Sequence, residues 1–437
     1  MKKLAPILIV AILLLTACLP GNIQIPQSPL LSKLERKSGL IAYIGADGNI
    51  YVSDQGGGHK VAVTSDADIT RIQSGAFLYY EQPTWSTDSS HLAFVGSSGT
   101  GGSISASSLH IADLDEKTAT MVYASERENP IYLSWSPDDQ NLGYLSTTVS
   151  GQTMMLQSIP VDGGERTIID TGAPFYWSWS PDGSSMIVHS GNATSSVPPR
   201  LSFLQVGNDI IEDRLEIDPA SFQAPAWSPN GQHILVTRLN KQNQNEIVLT
   251  DSHGKFEKAI GNYDFATSFA WSYDSELVAY IDGESPLNSG VLGKLHVLDL
   301  TADEDFFQDD NVIAVFWSPN SRKLAYFKPL LIDPETGEPA TSQTQSPVFL
   351  LELHVLDVIS GESKEITKFR PTNPFANILP YFDQYHQSVT IWSPDNNNLV
   401  LSLLLNDGSP GIAIIAASGQ LEPRLLDQGF IAFWSWK

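Results

Sequence analysis

The segment Trp179-Ser180-Pro181-Asp182-Gly183 decides the fold, because variants of it recur along the chain. Seven Trp residues open a Trp-Ser-x-Asp or Trp-Ser-x-Asn motif, and an eighth is followed by Ser close to the last residue. These eight are Trp85, Trp135, Trp179, Trp227, Trp271, Trp317, Trp392 and Trp434. Their successive spacings are 50, 44, 48, 44, 46, 75 and 42 residues. A period of about 45 residues with several short strands in each repeat predicts a β-propeller.

One repeat shows how the pattern produces a blade. Residues 226–227 end a first strand, and Ser228-Pro229-Asn230-Gly231 has the composition of a tight turn. Residues 234–239, 246–250 and 255–260 then predict three further strands. Four antiparallel strands make one blade, and we expect the repeated Trp to pack between neighbouring blades.

The two ends of the chain predict how the ring closes. Residues 40–44, 49–54 and 59–63 resemble second, third and fourth strands with no Trp motif before them, while residues 430–436 form a lone first strand. Pairing these segments completes one blade and removes the exposed strand edges. We therefore predict an all-β, single propeller of eight four-stranded blades, with seven as the alternative if one repeat is degenerate.

The repeats resemble a known family. Trp-Ser-Pro-Asp-Gly, followed by strands such as Leu324–Phe327 and by third strands such as Ile50–Asp54 and Leu295–Asp299, resembles the TolB-type, WD-like propeller repeat. The resemblance covers nearly all of residues 40–437. It implies partner binding in the cell envelope, by analogy with TolB. The same repeat occurs in the propellers of dipeptidyl-peptidase-like serine peptidases and of some sugar lyases. TolB has six blades and a separate N-terminal domain, and this chain departs from it in both respects.

The first residues predict export and a lipid anchor. Lys2 and Lys3 precede an uncharged apolar run over residues 4–15, which is typical of a secretory signal and short for a membrane span. Leu15-Thr16-Ala17-Cys18 then resembles the lipobox of bacterial lipoproteins, whereas an ordinary signal peptide with an incidental Cys is the alternative. We predict a signal peptide over residues 1–17, a lipidated Cys18 with a Pro-containing tether over 18–38, and the propeller over 39–437.

The resemblance to lipoproteins also implies a location. A lipid on Cys18 would hold the protein to a membrane in the cell envelope. Position 19 is Leu and not the Asp that usually retains lipoproteins at the inner membrane, so the periplasmic face of the outer membrane is expected in a Gram-negative organism. In an organism without an outer membrane, the outer face of the cell membrane is expected.

The charge excludes one class of partner. The formal net charge is −24, whereas a nucleic-acid-binding surface must be basic to neutralise the phosphates. Asp303, Glu304, Asp305, Asp309 and Asp310 form an acidic run for which we expect a solvated loop and not a cation site. No cofactor and no metal are predicted.

Catalytic patterns are scarce in the sequence. Gly-x-Ser-x-Gly, His-Glu-x-x-His and Cys-x-x-Cys do not occur, so the commonest serine-hydrolase and zinc motifs are missing. His110, His296 and His354 occupy the same third-strand position in three repeats, which favours a structural role. We predict no catalytic residue and favour a protein that is not an enzyme.

Two long insertions, residues 328–347 and 370–387, predict where binding occurs. Both are expected at the end of the propeller that carries the second-to-third-strand turns and the blade-to-blade connections, and long loops on a rigid scaffold commonly bind ligands. The second insertion contains aromatic and imidazole side chains that suit a protein or carbohydrate partner, although they could instead pack the insertion onto the propeller. These residues are Phe375, Tyr381, Phe382, Tyr385 and His386. We predict a non-enzymatic binding or scaffold protein, with a polysaccharide lyase or glycosidase acting at the channel mouth as the alternative.

The lipid anchor is directly testable. Replacing Cys18→Ala should move the protein from the membrane fraction to the soluble fraction, because the acyl chains supply the membrane affinity. Cell fractionation and metabolic labelling with palmitate measure both effects, and Ser28→Ala in the tether is the matched control. Labelled, membrane-bound Cys18→Ala protein would contradict the prediction.

Overall fold

The computed structural model is an eight-bladed propeller of antiparallel strands. The structure describes residues 39–437 except 117, 149–150, 152, 192–197, 208, 285–290 and 342–343. The predicted signal peptide, Cys18 and the tether lie outside these described residues. The prediction of an all-β propeller with eight blades is confirmed.

Blades 1 to 4 begin at the innermost strand and run outward. Blade 1 consists of β4 (Ala76–Trp85), β5 (His91–Thr100), β6 (Ser103–Asp113) and β7 (Thr118–Ser125), and blade 2 of β8 (Glu128–Trp135), β9 (Asn141–Thr148), β10 (Met154–Pro160) and β11 (Thr167–Gly172). Blade 3 consists of β12 (Phe175–Trp179), β13 (Ser185–Ser190), β14 (Arg200–Gln205) and β15 (Ile211–Arg214). Blade 4 consists of β16 (Ala226–Trp227), β17 (His233–Leu239), β18 (Asn245–Asp251) and β19 (Phe256–Tyr263).

Blades 5 to 7 follow the same order. Blade 5 consists of β20 (Thr267–Trp271), β21 (Leu277–Gly283), β22 (Gly293–Asp299) and β23 (Glu304–Val312). Blade 6 consists of β24 (Ala314–Trp317), β25 (Lys323–Ile332), β26 (Val348–Asp357) and β27 (Glu362–Phe369). Blade 7 contains β28 (Asn398–Leu404), β29 (Pro410–Ala416) and β30 (Arg424–Asp427). In blade 7 the innermost position is taken by residues 390–392, which make single bridges to Leu399 and to Trp434.

Blade 8 closes the ring with both ends of the described chain. It consists of β31 (Gly429–Trp434), β1 (Leu40–Gly45), β2 (Ile50–Asp54) and β3 (Val61–Ala62). Strand β31 pairs with β1 from Trp434 opposite Ile41 to Gly429 opposite Gly45. The predicted closure is therefore confirmed.

The Trp-Ser-x-Asp motif is a self-contained turn. In blades 1 to 7 the Ser hydroxyl donates a hydrogen bond to the Asp or Asn side chain two residues later and accepts one from the backbone N–H five residues later. In blade 8 the corresponding position joins two distant segments of the chain, β31 and β1. There the Ser435 hydroxyl accepts from the N–H of Leu40 at 2.8 Å. These local bonds explain why the motif recurs.

The indole N–H of the repeated Trp joins neighbouring blades. Five of the eight indoles donate to a backbone carbonyl in the innermost strand of the preceding blade. That carbonyl belongs to the residue directly before the repeated Trp of the preceding blade. The pairs are Trp85 to Phe433, Trp135 to Thr84, Trp271 to Ala226, Trp317 to Ala270 and Trp392 to Phe316. The indole nitrogens of Trp179, Trp227 and Trp434 have no partner among the described residues.

A second set of bonds joins the turns themselves. The residue four positions after each Trp in blades 1 to 7 has φ between 57° and 71°, a left-handed conformation. Where it carries a polar side chain, that side chain accepts from a backbone N–H of the preceding blade's turn, as Ser321 does from Asp274 at 3.0 Å. Blades 3 and 4 have Gly183 and Gly231 there. Blades 3 and 4 therefore lack both this side-chain bond and an acceptor for the indole. Blade 8, whose turn is formed by two distant segments, also lacks an acceptor for its indole.

The indole bond should be measurable as stability. Trp317 and Trp434 are both fully buried, but only Trp317 has an indole acceptor. Trp317→Phe should therefore lower the free energy of unfolding by about 1 kcal/mol more than Trp434→Phe, since it also removes a hydrogen bond. Chemical denaturation of both variants measures the difference. Equal losses would show that the indole bond contributes nothing.

Candidate functional site

The centre of the ring is occupied by a segment of the chain itself. Residues 371–389, here called the channel segment, enter between blades 6 and 7 and form helix α1 (Asn373–Ile378), a 3-10 turn (Leu379–Tyr381) and helix α2 (Phe382–Tyr385). Thr372 caps α1, and Pro374 stands in its first turn, where a missing N–H costs nothing. Sequence alone left open whether the aromatic side chains of this insertion meet a partner or pack onto the propeller.

Polar bonds join the channel segment to innermost strands around the ring. The Gln384 side-chain amide accepts from the N–H of Trp177 at 3.1 Å and donates to the carbonyl of Trp177 at 2.9 Å. The Tyr132 hydroxyl donates to the Gln384 carbonyl at 2.8 Å, and the N–H of Ala224 donates to Asp383 at 3.1 Å. His386 lies 3.2 Å from the carbonyl of Trp271. The segment therefore ties together blades 2, 3, 4 and 5.

The five side chains predicted to bind a partner belong to the channel segment. Phe375 and Phe382 are fully buried, His386 is buried and Tyr385 is half-buried, whereas Tyr381 is 40 % exposed. Phe375 packs against Phe327 and Phe369, and Tyr385 packs against Tyr132. Packing onto the propeller therefore describes four of the five. Partner binding by these residues stays a prediction, and Tyr381 is the one that faces solvent.

Two buried ionisable groups lie in α2 and just after it. Burial raises the pKa of the Asp383 carboxyl to about 7, although the N–H groups of Ala224 and Gln384 partly oppose this rise. Burial lowers the pKa of the His386 imidazole to about 4. Both side chains are therefore held largely uncharged in mildly acidic solution.

A pocket opens beside the channel segment on the face that carries the long connections. It has a volume of about 480 Å³ and lies between blade 8, blade 1 and α1. We call it the mouth pocket. Its walls include Ile69, Phe77, Tyr79, Tyr80 and Ile378. Pockets of about 300–1,000 Å³ with apolar walls and few polar groups are typical of small-ligand sites.

Glu81 is the charged residue of the mouth pocket. It is half-buried in β4, and the Ser97 hydroxyl donates to it at 3.1 Å. Burial raises the pKa of the Glu81 carboxyl, and the bond from Ser97 partly opposes the rise. A β-bulge between Glu81 and Thr84, with Gln82 at φ 57°, alters the pairing of β4 here. Sequence reasoning missed this residue, although an acid directly after Phe77–Tyr80 in an innermost strand was a signal.

Two further cavities lie away from the mouth pocket. One of about 380 Å³ lies at the opposite mouth of the channel, among the Trp-Ser-x-Asp turns, and includes Trp179, Trp227, Tyr273 and His386. Its walls come from the turns of blades 1 to 5 together with the channel segment. Another of about 490 Å³ lies at the outer edge of blades 3 and 4, where acidic and basic side chains mix.

The repeated histidines lie outside both channel mouths. His110, His296 and His354 each stack on an aromatic side chain of the neighbouring second strand, as His296 does on Tyr280 with 4.6 Å between ring centroids. This arrangement agrees with the structural role expected for them.

One group of potential metal ligands converges within the described part of the chain. It consists of Glu352, His354 and Glu365 on the third and fourth strands of blade 6. Lys368 already contacts both carboxylates, at 2.6 Å and 3.6 Å. A lysine ammonium therefore supplies the positive charge there, and the group lies away from the channel.

The acidic run is a strand and not the expected loop. Residues 304–312 form β23. Asp303 contacts Lys258, Asp305 contacts His296 and Asp309 contacts Lys328, each at 2.7 Å. Three of the carboxylates thus have partners in neighbouring strands or blades.

Comparisons with known proteins show the fold alone. Solved structures of similar fold include TolB from Acinetobacter baumannii (17 % identity, 61 % of this chain, 62 % of that chain, TM-score 0.37) and an oligogalacturonate lyase in complex with manganese (12 %, 87 %, 97 %, 0.47). A prolyl endopeptidase is similar at 12 % identity over 78 % of this chain and 54 % of that chain, with a TM-score of 0.41. No family model and no curated protein matches the chain. Across the described residues, no helix has the length and apolar character needed to span a membrane.

The buried Asp383 makes stability depend on pH. Its ordinary pKa is 3.8 and its folded pKa is about 7, so between these values the folded chain binds more protons than the unfolded chain. The stability that it contributes must therefore fall as the pH rises from 4 to 7. Asp383→Asn cannot titrate, so its stability relative to the wild type should rise by roughly 2–4 kcal/mol across this window.

Urea unfolding at a series of pH values tests this expectation. His386 is present in both proteins, so its own titration largely cancels in the difference. A difference that does not change with pH would contradict the burial of an ionisable Asp383.

Proposed function

We propose that this chain is a non-enzymatic, lipid-anchored protein of the cell envelope that binds a protein or glycan partner with the long-connection face of its propeller. The anchor is Cys18, as the lipobox-like sequence predicts. The binding site is the mouth pocket with the exposed Asn377 at its rim, and the exposed Tyr381 of the channel segment is a second contact position on this face.

The observation that carries the proposal is the filled channel. The channel segment occupies the space in which a propeller enzyme would expose its inner strands to a substrate. The mouth pocket beside this segment is of ligand size and is walled mainly by aromatic and aliphatic side chains. The converging Glu352, His354 and Glu365 lie on outer strands of blade 6, so they favour no reaction at the mouth.

The channel segment also limits how binding can be tested. Phe375 and Phe382 are fully buried, so a deletion of residues 372–386 would remove part of the core together with any binding surface. Single substitutions at exposed rim positions avoid this problem.

Photo-crosslinking in intact cells tests the proposal. A benzophenone amino acid at Asn377, on the pocket rim, should capture a specific protein or glycan. The same residue at Gln232, exposed on the turn face, should not. Equal capture at both positions would contradict the proposed face. Cleavage of a polysaccharide by the purified protein would contradict a purely binding role.

A further inference from the structure

The mouth pocket has a negatively charged residue in its wall. Glu81 is the only acidic or basic residue among the described residues that line it. No ion pair involves Glu81 among the residues that the structure describes, and its hydrogen-bond partner is the neutral Ser97 hydroxyl. A half-buried carboxylate with no positive partner in this apolar setting favours a cation, because the pairing would recover the energy lost on desolvation.

Aromatic side chains line the same pocket as Glu81. Phe77 and Tyr79 stack with 5.9 Å between ring centroids, and Tyr80 and Tyr385 also line the pocket. The faces of aromatic rings attract ammonium groups and pack well against apolar ligand bodies. The pocket walls therefore suit both halves of an amphipathic cation.

The balance of donors and acceptors also favours an ammonium group. An ammonium group has three donors and no acceptor, which suits the acceptor oxygens of the Glu81 carboxylate. A carboxylate or phosphate ligand would instead bring its own acceptors against that carboxylate.

We infer that the mouth pocket binds a small amphipathic amine, with its ammonium group against Glu81 and its apolar or aromatic body against Phe77, Tyr79, Tyr80 and Tyr385. The inference rests on the proposed binding function and names the chemistry that the site recognises. The volume of about 480 Å³ accommodates a molecule larger than a single side chain. The net charge of −24 favours the approach of cations over anions.

Calorimetric titration of the full chain with 2-phenylethylamine tests the inference. One molecule should bind, whereas 2-phenylethanol, of nearly the same shape, and 3-phenylpropionate should bind at least about tenfold more weakly. Glu81→Gln should weaken amine binding by at least about tenfold, and the same substitution at the exposed Glu276 should leave it unchanged. Asn377→Trp, which places an indole at the pocket rim, should also weaken binding, whereas Asn373→Trp in the same helix should not.

The outcomes separate the inference from the proposed function. Equal binding of amine and alcohol, or undiminished amine binding by folded Glu81→Gln protein, would overturn the amine site. Circular dichroism and thermal unfolding establish that each variant is folded. If no amine binds while the benzophenone at Asn377 still captures a partner, the inference fails and the binding function stands. If neither occurs, both fail.

Discussion

The structure depends on how the centre of an eight-bladed ring is filled. The innermost strands of eight blades surround a channel, and their apolar side chains need partners to be buried. Here residues 371–389 supply those partners, with Phe375 and Phe382 fully buried and Gln384 bonded to the backbone of Trp177. The same segment supplies α1, against which the mouth pocket is formed, so it both packs the centre of the ring and lines the candidate site.

Around this centre the blades are joined by two sets of hydrogen bonds, from the indole N–H groups and between the turns. The two sets occur in the same blades. Where the left-handed residue of the turn has a polar side chain, the turn is tied to the preceding blade and the indole finds its carbonyl. Where that residue is Gly183 or Gly231, both bonds are missing. The turn tie and the indole bond therefore occur in the same blades.

The fold could be predicted from the sequence because its determinants are local. The Ser and Asp of each turn bond within five residues, so every repeat carries the same readable motif. The channel segment could not be predicted in this way, because Gln384 meets Trp177 across 207 residues and His386 meets Trp271 across 115. Its aromatic residues look alike whether they face solvent or core. The pocket depends on the same long-range contacts, and only the lone acid Glu81 among apolar neighbours marked it.

Hydrogen exchange of the channel segment tests the central claim most directly. The N–H groups of Ala376, His386 and Val389 are bonded within the segment, to the carbonyls of Thr372, Phe382 and Tyr385. If the segment fills the channel, peptides covering 371–389 should exchange as slowly as the innermost strands and open only when the propeller unfolds. The exposed insertion at residues 333–341 provides the fast reference. Exchange of 371–389 at the rate of that reference would show that the channel is open and would contradict the account.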